Sequence, residues 1–358
     1  MTESKRKQAA LWTVGRGSRG LLRCSDRRRK LVIAGTAVTN DENAIHILSV
    51  DNDEISLTPL NVLTTPSEVW SLEVVGKDSN LHLVAATRKG YRSAVEVWSL
   101  MRADDLSPRA SQPSEWGSSE YEAAPIRNTS FLAIDGDILK VVKNPSDSSS
   151  YMALTKKSAV FLTVGISLKI GVASSLESTK LLLMSETDSL VDAGWIDENT
   201  AYVASTRCLG ICDTRTGTLG SVIETDKAIS SYCKSGDGLQ VPSHPTRIST
   251  SLAIGGDQVV VGGEDGSLRC YECKTSNVVW QVSNAHTQWV STLCETQGGG
   301  FLSGGMDGVV RCWRKDGQPV ATFPQHDDIV TNACSFDNAF VTVSYDGRIA
   351  LNELPVAT

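Results

Sequence analysis

The chain has 358 residues, of which 41% are hydrophobic and 21% are charged, and its formal net charge at pH 7 is −7. These values are typical of a soluble globular protein. No apolar run approaches the ~18 residues that a transmembrane helix needs, and the first residues lack the apolar segment of a signal peptide. The composition therefore argues against an integral membrane protein and predicts a cytoplasmic one.

Residues 1–30 are basic, because ten Lys and Arg residues stand against Glu3 and Asp26, while the rest of the chain is acidic. We predict a basic extension over 1–30, ahead of a single domain over 31–358. Arg27, Arg28 and Arg29 are candidates for contact with phosphates or an acidic partner. The alternative is a solvated segment before the first strand. Nucleic-acid binding is not favoured, because the acidic bulk would repel phosphate.

A glycine pattern at 15–20, GRGSRG, matches a dinucleotide-binding fingerprint. Only ten residues separate it from the next apolar strand at 31–35, which is too short for the helix of a βαβ crossover. The sequence therefore predicts no dinucleotide site and no other cofactor.

Strand, turn and strand patterns recur along the first two thirds of the chain. They occupy 31–51, 68–100 and 192–217, and a further unit over about 131–171 is assigned by elimination. Two loop insertions are predicted between units, at about 101–128 and 218–245. The first is rich in Ser, Pro and acids, and it is either a docking strip, with Ser107 as a phosphorylation candidate, or a bland spacer.

The last third repeats itself three times. In each copy a histidine precedes an Asp that is followed by Gly, at separations of 21, 21 and 20 residues; the pairs are His244 with Asp265, His286 with Asp307, and His326 with Asp346. A period near forty indicates four-stranded units that must be arrayed to bury their apolar faces. Seven units of ~40 to 45 residues need roughly 300 residues, which the chain supplies.

The central copy is the most complete. Residues 301–305 and 309–313 read as short strands, and the glycine of the intervening MDG turn permits a tight hairpin. A tetrad of His286, Ser303, Asp307 and Trp313 occupies the positions where WD-repeat proteins place hydrogen-bonded His, Ser or Thr, Asp and Trp, so the unit resembles that family. The resemblance implies an all-β, seven-bladed WD-repeat β-propeller in which the tetrad is structural.

The flanking copies are incomplete. His326, Thr342 and Asp346 keep three of the four tetrad positions, but Asn352 stands where the tryptophan is expected. In the preceding copy, His244 and Asp265 are accompanied by Val261 and Tyr271. We therefore predict partial tetrads in these two units.

No catalytic or metal-binding constellation is found in the sequence. Cys270 and Cys273 have metal-ligand spacing, but no second pair completes a set of four ligands. Neither a nucleophile elbow nor a helix with paired histidines occurs. We predict a protein that is not an enzyme and that acts through its surface.

The loops that precede the inner strands of a propeller gather on one face, where exposed aromatic residues are candidate anchors for a partner. The residue three positions after each repeated histidine is Arg247, Trp289 or Ile329, and Glu68 and Trp70 occupy or adjoin the equivalent place in an early unit. Trp289 is the first candidate. The alternative for it is a buried indole that caps a neighbouring blade.

The chain resembles one WD-repeat family in particular. The carrying segments are residues 34–53, 66–74, 94–100, 212–217, 284–293 and, above all, VSYDGRIALNELP at 343–355. They are similar to the EARP and GARP complex-interacting protein family. This resemblance implies an adaptor, monomeric within a complex, that binds subunits of tethering complexes at endosomes and the trans-Golgi network. The alternative is another WD-repeat assembly protein, such as a targeting-peptide receptor or a ubiquitin-ligase substrate receptor.

Overall fold

The structure is a computed structural model of the whole chain. It describes residues 10–13, 18–25, 30–39, 42–51, 54–75, 81–102, 121–125, 132–134, 136–164, 170–177, 189–225 and 247–355.

These ranges form seven antiparallel sheets, each of which is one blade of a propeller. The first blade consists of β2 (Ser18–Ser25), β3 (Lys30–Thr36), β4 (Asn43–Asp51) and β5 (Ser56–Thr65). The second consists of β6 (Glu68–Val75), β7 (Leu81–Lys89), β8 (Arg92–Arg102), β9 (Tyr121–Pro125) and β10 (Leu132–Ile134). The third consists of β11 (Ile138–Lys143), β12 (Ser150–Thr155), β13 (Ser158–Val164) and β14 (Ile170–Glu177).

The remaining four blades complete the ring. The fourth blade consists of β15 (Leu190–Trp195), β16 (Thr200–Ser205), β17 (Cys208–Asp213) and β18 (Thr218–Glu224), and the fifth of β19 (Ile248–Ile254), β20 (Gln258–Gly263), β21 (Leu268–Glu272) and β22 (Val278–Val282). The sixth consists of β23 (Val290–Glu295), β24 (Phe301–Gly305), β25 (Val309–Trp313) and β26 (Pro319–Pro324). The last consists of β27 (Val330–Ser335), β28 (Ala339–Ser344) and β29 (Arg348–Glu353) together with β1 (Ala10–Thr13). The prediction of a seven-bladed all-β propeller is confirmed.

The inner strands of the blades form a closed ring. Strands β2, β6, β11, β15, β19, β23 and β27 contact one another in this order, and β27 contacts β2. The outer edge of the last blade is closed by β1, which pairs antiparallel with β29 so that Ala10 lies opposite Leu351 and Thr13 opposite Arg348. A ring closed in this way leaves only short outer edges open to unwanted pairing.

The apolar core consists of seven clusters, one between each pair of neighbouring blades. Successive residues of a strand point to opposite faces, so one strand serves two clusters. In β3, Leu31 and Ile33 pack against the second blade, whereas Val32 and Ala34 pack against the last. Each blade is apolar on both faces and depends on both neighbours.

Every inner strand begins with the same irregularity. The pairing register shifts between its first and third residues, as between Ile248 and Thr250, or Val290 and Thr292. The same shift occurs in the other five inner strands, although in β6 it lies one residue further along, between Val69 and Ser71. A bulge of this kind re-aims the residue within it and increases the local twist. The second and third residues of the inner strands, and the third and fourth of β6, therefore occupy equivalent places around the channel.

The predicted domain boundaries need three corrections. Residues 10–13 and 18–25 are blade strands, so these two segments of the predicted basic extension belong to the propeller. The predicted insertion at 218–245 begins too early, because 218–224 is the outer strand of the fourth blade. The insertion at 101–128 is shorter than predicted, since β9 pairs with the end of β8. In each case backbone pairing with a neighbouring strand outweighs a polar, turn-rich composition.

Candidate functional site

The sixth blade brings the four predicted tetrad residues together. Trp313 donates from its indole Nε1 to the Ser303 hydroxyl at 2.8 Å, and the Ser303 oxygen lies 2.7 Å from His286 Nε2. His286 Nδ1 lies 3.0 Å from Asp307 Oδ1. Ser303 is fully buried, and His286 and Trp313 are nearly so. A consistent donor order runs from Trp313 through Ser303 and His286 to the carboxylate.

The electrostatics of this tetrad keep its histidine neutral and its carboxylate charged. Burial lowers the pKa of His286, and the nearby Arg311 guanidinium adds to this effect against the pull of Asp307. Burial on its own would raise the pKa of Asp307, but hydrogen bonds from His286 and from the Thr287 amide hold that pKa below its usual value. A neutral imidazole with its proton on Nδ1 donates to Asp307 and accepts from Ser303. Arg311 Nη1 lies 2.8 Å from the same Nδ1 and can only donate, so this contact is made by the other tautomer, with the proton on Nε2.

The last blade completes its network without tryptophan. His326 Nδ1 lies 3.0 Å from Asp346 Oδ2, and His326 Nε2 lies 2.9 Å from the Thr342 hydroxyl. Gln325 donates from Nε2 to the same hydroxyl at 2.7 Å, and Asn352 donates to the carbonyl oxygen of Gln325. Gln325 thus supplies the donor that tryptophan supplies in the sixth blade. Sequence reasoning missed Gln325, although its place directly before the repeated histidine was a usable signal.

The fifth blade shows a different arrangement around Asp265. Ser267 donates to Asp265 from its amide at 2.9 Å and from its hydroxyl at 2.6 Å, and the buried Arg269 donates to the other carboxylate oxygen at 2.8 Å. Burial would raise the pKa of Asp265, but the Arg269 charge and the Ser267 donors hold it below its usual value. His244 lies outside the described residues.

The turns of adjacent blades are joined by close backbone approaches. Gly308 has φ of +71°, and a Cβ built there would lie 2.3 Å from the His326 carbonyl oxygen. Gly266 has φ of +74° and would meet the His286 carbonyl oxygen at 2.2 Å. Only glycine satisfies both the conformation and the space. The repeated histidine is therefore held by its own blade through Asp and by the preceding blade through Gly.

We call the end of the propeller where the inner strands begin the entry face. The central channel opens there into a cavity of about 680 Å³. Residues at the equivalent places of the inner strands line this cavity, together with residues of the rim; the lining includes Trp70, Ser71, Leu139, Lys140, Val191, Asp192, Ser249, Thr250, Ser291, Thr292, Thr331, Asn332, Met306, Ile329 and Tyr345.

One wall of the channel carries a charged network that sequence reasoning missed. Lys140 Nζ lies 2.7 Å from Asp192 Oδ1, and Asp192 Oδ2 accepts from the Thr250 hydroxyl at 3.1 Å and from the Ser251 amide at 2.7 Å. Asp192 is 5% exposed, so its charge is compensated by these partners. The network joins one strand from each of three blades, so no local sequence motif predicts it. Its structural effect is to tie the third, fourth and fifth blades together.

The candidate rim residues occupy one structural position. The carbonyl groups of Arg247, Trp289 and Ile329 accept from the amides of Glu264, Met306 and Tyr345, at 2.8, 2.8 and 3.0 Å. Arg247 is exposed and Ile329 is half-buried. Trp289 is 43% exposed, which contradicts the alternative of an indole buried under a neighbouring blade.

The interpretation of Glu68 as a surface residue is wrong. Glu68 is only 7% exposed, and its carboxylate accepts from Trp70 Nε1 at 2.8 Å. Trp70 is half-buried, and the Arg88 guanidinium lies 5.8 Å from the centre of its ring. The charge of Glu68 is needed to satisfy the indole, so this pair fixes the ring at the channel wall. Trp70 itself remains a candidate contact.

The remaining predicted sites are either outside the description or buried. Arg27, Arg28, Arg29 and Ser107 lie outside the described residues. Cys270 and Cys273 are buried, and burial raises the pKa of their thiols to about 12 and about 11. Within the described ranges no group of three or more potential metal ligands comes together. In the same ranges no helix is long and apolar enough to cross a membrane.

The fold and its tetrads define a β-propeller built from repeated blades. A model of the family described as WD domain, G-beta repeat matches residues 278–314 and 317–351, which lie in the fifth, sixth and last blades. These residues therefore carry WD repeats within the propeller.

Two similar proteins each match less than a third of this chain. Human kinesin-like protein KIF21B is 30% identical over 110 residues, which are 30% of this chain and 7% of that protein. Telomerase protein component 1 of Rattus norvegicus is 26% identical over 103 residues, which are 28% of this chain and 4% of that protein. The chain thus matches less than a tenth of the length of these relatives. A chain of the mitotic checkpoint complex aligns with a TM-score of 0.62 at 11% identity over 99% of this chain and 96% of its own length, a likeness of fold alone.

Proposed function

We propose that this WD-repeat protein is a non-catalytic adaptor that binds a protein partner on its entry face. The observation that carries the proposal is the exposed indole of Trp289 on the rim. Tryptophan is enriched among the residues that contribute most to binding at protein interfaces. An exposed indole on a rigid rim is available to a partner without rearrangement of the propeller.

The surroundings of the channel support a protein ligand. The rim beside the cavity combines apolar and aromatic side chains, namely Met306, Ile329 and Tyr345, with Trp70 on the wall. The cavity of about 680 Å³ is wide enough to accept a side chain of a partner between these groups. The channel wall is held by hydrogen bonds between blades, such as Ser249 Oγ to the Val290 carbonyl, so the surface is preorganised.

The partner is proposed to be a subunit of an endosomal or Golgi tethering complex, with the protein peripheral to endosomes and the trans-Golgi network. The support for this step is the resemblance of residues 284–293 and 343–355 to the EARP and GARP complex-interacting protein family. Both segments lie partly on the entry face, since the first contains Trp289 and the second contains the turn at Tyr345.

The test compares Trp289→Ala with Val279→Ala. Both side chains are 43% exposed, but Val279 lies on β22, the outer strand of the fifth blade. Full-length protein is recovered from cells with its partners, which are identified by mass spectrometry, and affinity is then measured on the purified pair. Trp289→Ala is expected to weaken binding by about 2 kcal/mol or more with little change in melting temperature. Val279→Ala is expected to bind as the wild type does.

Two results would contradict the proposal. Recovery of no tethering subunit with the wild type removes the assignment of partner. Normal affinity of Trp289→Ala removes the rim from the interface. Reversal of Arg27, Arg28 and Arg29 to Glu is a separate test of the basic segment, for which we expect altered association rate and salt dependence, as is usual for charges at the edge of an interface.

A further inference from the structure

A row of cations lies on the entry face between the second and fifth blades, although the protein as a whole is acidic. We call it the basic crescent. It consists of the turn between β7 and β8, the turn between β12 and β13, the turn between β16 and β17, and the residue that precedes β19; its members are Arg88, Lys89, Arg92, Lys156, Lys157, Arg207 and Arg247.

Backbone hydrogen bonds make the later part of this crescent continuous. The Lys156 carbonyl accepts from the Leu190 amide at 2.9 Å, where the fourth blade begins. The carbonyl group of Ser189, which precedes Leu190, accepts from the Thr206 amide at 3.1 Å. The Thr206 carbonyl accepts from the Ile248 amide at 2.8 Å, where the fifth blade begins. Each turn therefore lies directly beside the entry of the next blade, and the basic residues follow one another around the rim.

The earlier part is joined through a single carboxylate. Asp137 Oδ1 lies 3.7 Å from Arg88 Nη1, and Asp137 Oδ2 lies 3.9 Å from Lys156 Nζ. One negative charge is thus shared by two cations from neighbouring blades. Because the Lys156 side chain is 62% exposed and both distances are long, this pairing leaves a positive excess.

The other members of the crescent are exposed and uncompensated. Within the part of the chain that the structure describes, no ion pair is formed by Lys89, Arg92, Lys157, Arg207 or Arg247. Two cations on the opposite face are instead paired.

At that end of the propeller, Lys30 pairs with Asp337 at 2.8 Å and Arg215 pairs with Asp213 at 2.7 Å. The crescent therefore presents a local positive field on a protein whose net charge is −7.

We propose that the basic crescent binds an acidic segment of a protein partner. The proposal deepens the adaptor function proposed above and rests on it for the class of partner, but the surface is formed by the second to fifth blades, whereas Trp289 lies in the sixth. Charge of opposite sign would orient the partner on the entry face and speed its association.

The distribution of charge favours a short acidic segment over a long polyanion. The crescent ends at the next turn, where Glu264 and Asp265 reverse the sign, and the last blade presents the exposed Asp327 and Asp328 on the same face. A nucleic acid that continued along the rim would meet these carboxylates and the acidic body of the protein. A short segment feels only the charges within a Debye length, which is about 8 Å at physiological salt.

The test uses purified full-length protein and a fluorescein-labelled peptide in which Glu alternates with Gly. A peptide with Gln in place of Glu serves as the neutral probe. The crescent variant is Lys157→Glu with Arg207→Glu. The matched control is Lys274→Glu with Lys315→Glu, which changes the net charge equally on exposed residues of the opposite face. Binding is measured by anisotropy at several salt concentrations, and melting curves establish that both variants fold.

We expect the wild type to bind the Glu peptide, to prefer it to the Gln peptide and to lose affinity as salt is raised. The crescent variant is expected to bind roughly tenfold or more weakly, with a flatter salt dependence, and the control is expected to stay near the wild type. Equal binding of both peptides, equal loss in both variants, or no loss in the crescent variant would overturn the proposal.

Two further probes separate other sources of negative charge. Tighter binding of a single-stranded RNA, or of vesicles containing anionic phospholipid, with loss in the crescent variant, would overturn the choice of a protein segment. Failure to recover a tethering subunit while the Glu peptide still binds would remove the proposed partner and leave the crescent proposal standing.

Discussion

Asn352 donates a hydrogen bond to Gln325 in the last blade. Gln325 in turn donates to Thr342 at 2.7 Å, in the way that Trp313 donates to Ser303 one blade earlier. The indole of Trp313 in the sixth blade and the amides of Gln325 and Asn352 in the last blade therefore serve equivalent buried hydroxyls, those of Ser303 and Thr342. The side chain of Asn352 is a working part of the network and not a decayed remnant of it.

This relationship predicts coupling between the two amides. We expect Gln325→Ala and Asn352→Ala each to destabilise the protein by about 1 kcal/mol, because the first removes a partner of the buried Thr342 and Asn352 and the second removes a partner of the half-buried Gln325. The double variant is expected to cost clearly less than the sum of the two. Free energies of unfolding in urea measure this, with the exposed Gln318→Ala as the control. Strict additivity would show that the two side chains act independently.

The tetrad of the sixth blade predicts a graded response at Trp313. Trp313→Phe keeps an aromatic ring beside Phe301, whose centroid lies 6.2 Å from the indole, but it removes the donor to Ser303. We expect a loss of about 1 to 3 kcal/mol for Trp313→Phe and for Asp307→Ala, and a larger loss for Trp313→Ala. Thermal and urea unfolding measure these losses. If Asp307→Ala melts with the wild type and with Asp257→Ala, a turn variant, the stabilising role of the tetrad is wrong.

Stability is expected to fall as the pH drops below about 6.5, the pKa of an unfolded histidine. Burial lowers the pKa of His286, His326 and His82 in the folded protein, so the unfolded chain binds protons first. The stabilisation is present above that pH and is lost as the pH falls. Asp307 and Asp346 add a loss only below about pH 4, because their folded pKa values lie under the ordinary value.

The measurement is the free energy of unfolding at about pH 7.5 and about pH 5.5, on either side of the histidine pKa. His326→Gln should reduce the difference between the free energies of unfolding at these two pH values. His82→Gln should also reduce this difference, by the amount that His82 contributes to it. An unchanged difference in His326→Gln would show that this imidazole does not titrate between the folded and unfolded states as described.

Closure by β1 predicts sharply different effects of two deletions. Removal of residues 1–8 is expected to be tolerated, whereas removal of 1–13 deletes the strand that covers β29 and exposes a pairing edge. The protein that lacks residues 1–13 should aggregate. A protein that lacks residues 1–50 should aggregate too, because it also loses the inner strand β2. Size-exclusion chromatography with light scattering distinguishes the products. A soluble monomer without residues 1–13 would show that β29 needs no covering strand.

The sequence predicts the fold well where turns have a strong chemical requirement. The Asp-Gly turns at Gly266, Gly308 and Gly347 predict hairpins, and all three glycines have positive φ. Prediction fails at 218–224, where Thr, Gly and Ser suggest a loop but pairing with β17 makes a strand. It also fails for residues 10–25, whose basic composition obscures two strands.

The candidate site was predictable only in part. The rim position of Trp289 follows from repeat spacing, because one register relates all blades. The Lys140 and Asp192 pair does not, since its partners come from different blades and only the assembled ring brings them within 2.7 Å. Burial of Glu68 was also hidden, because the pairing register shifts between Val69 and Ser71, and such a bulge breaks the alternation from which side-chain direction is predicted.

The pairing of Leu11 with Ala350 also sets the order of events during synthesis. When β1 leaves the ribosome its partner does not yet exist, and it stays unpaired until β29 has been made. Closure of such a long loop is slow compared with hairpin formation within a blade. Blades can therefore assemble one after another while the ring stays open, and the last strand to emerge seals it. The nascent protein carries an unpaired β1 until β29 emerges, which makes this interval the one in which aggregation competes with folding.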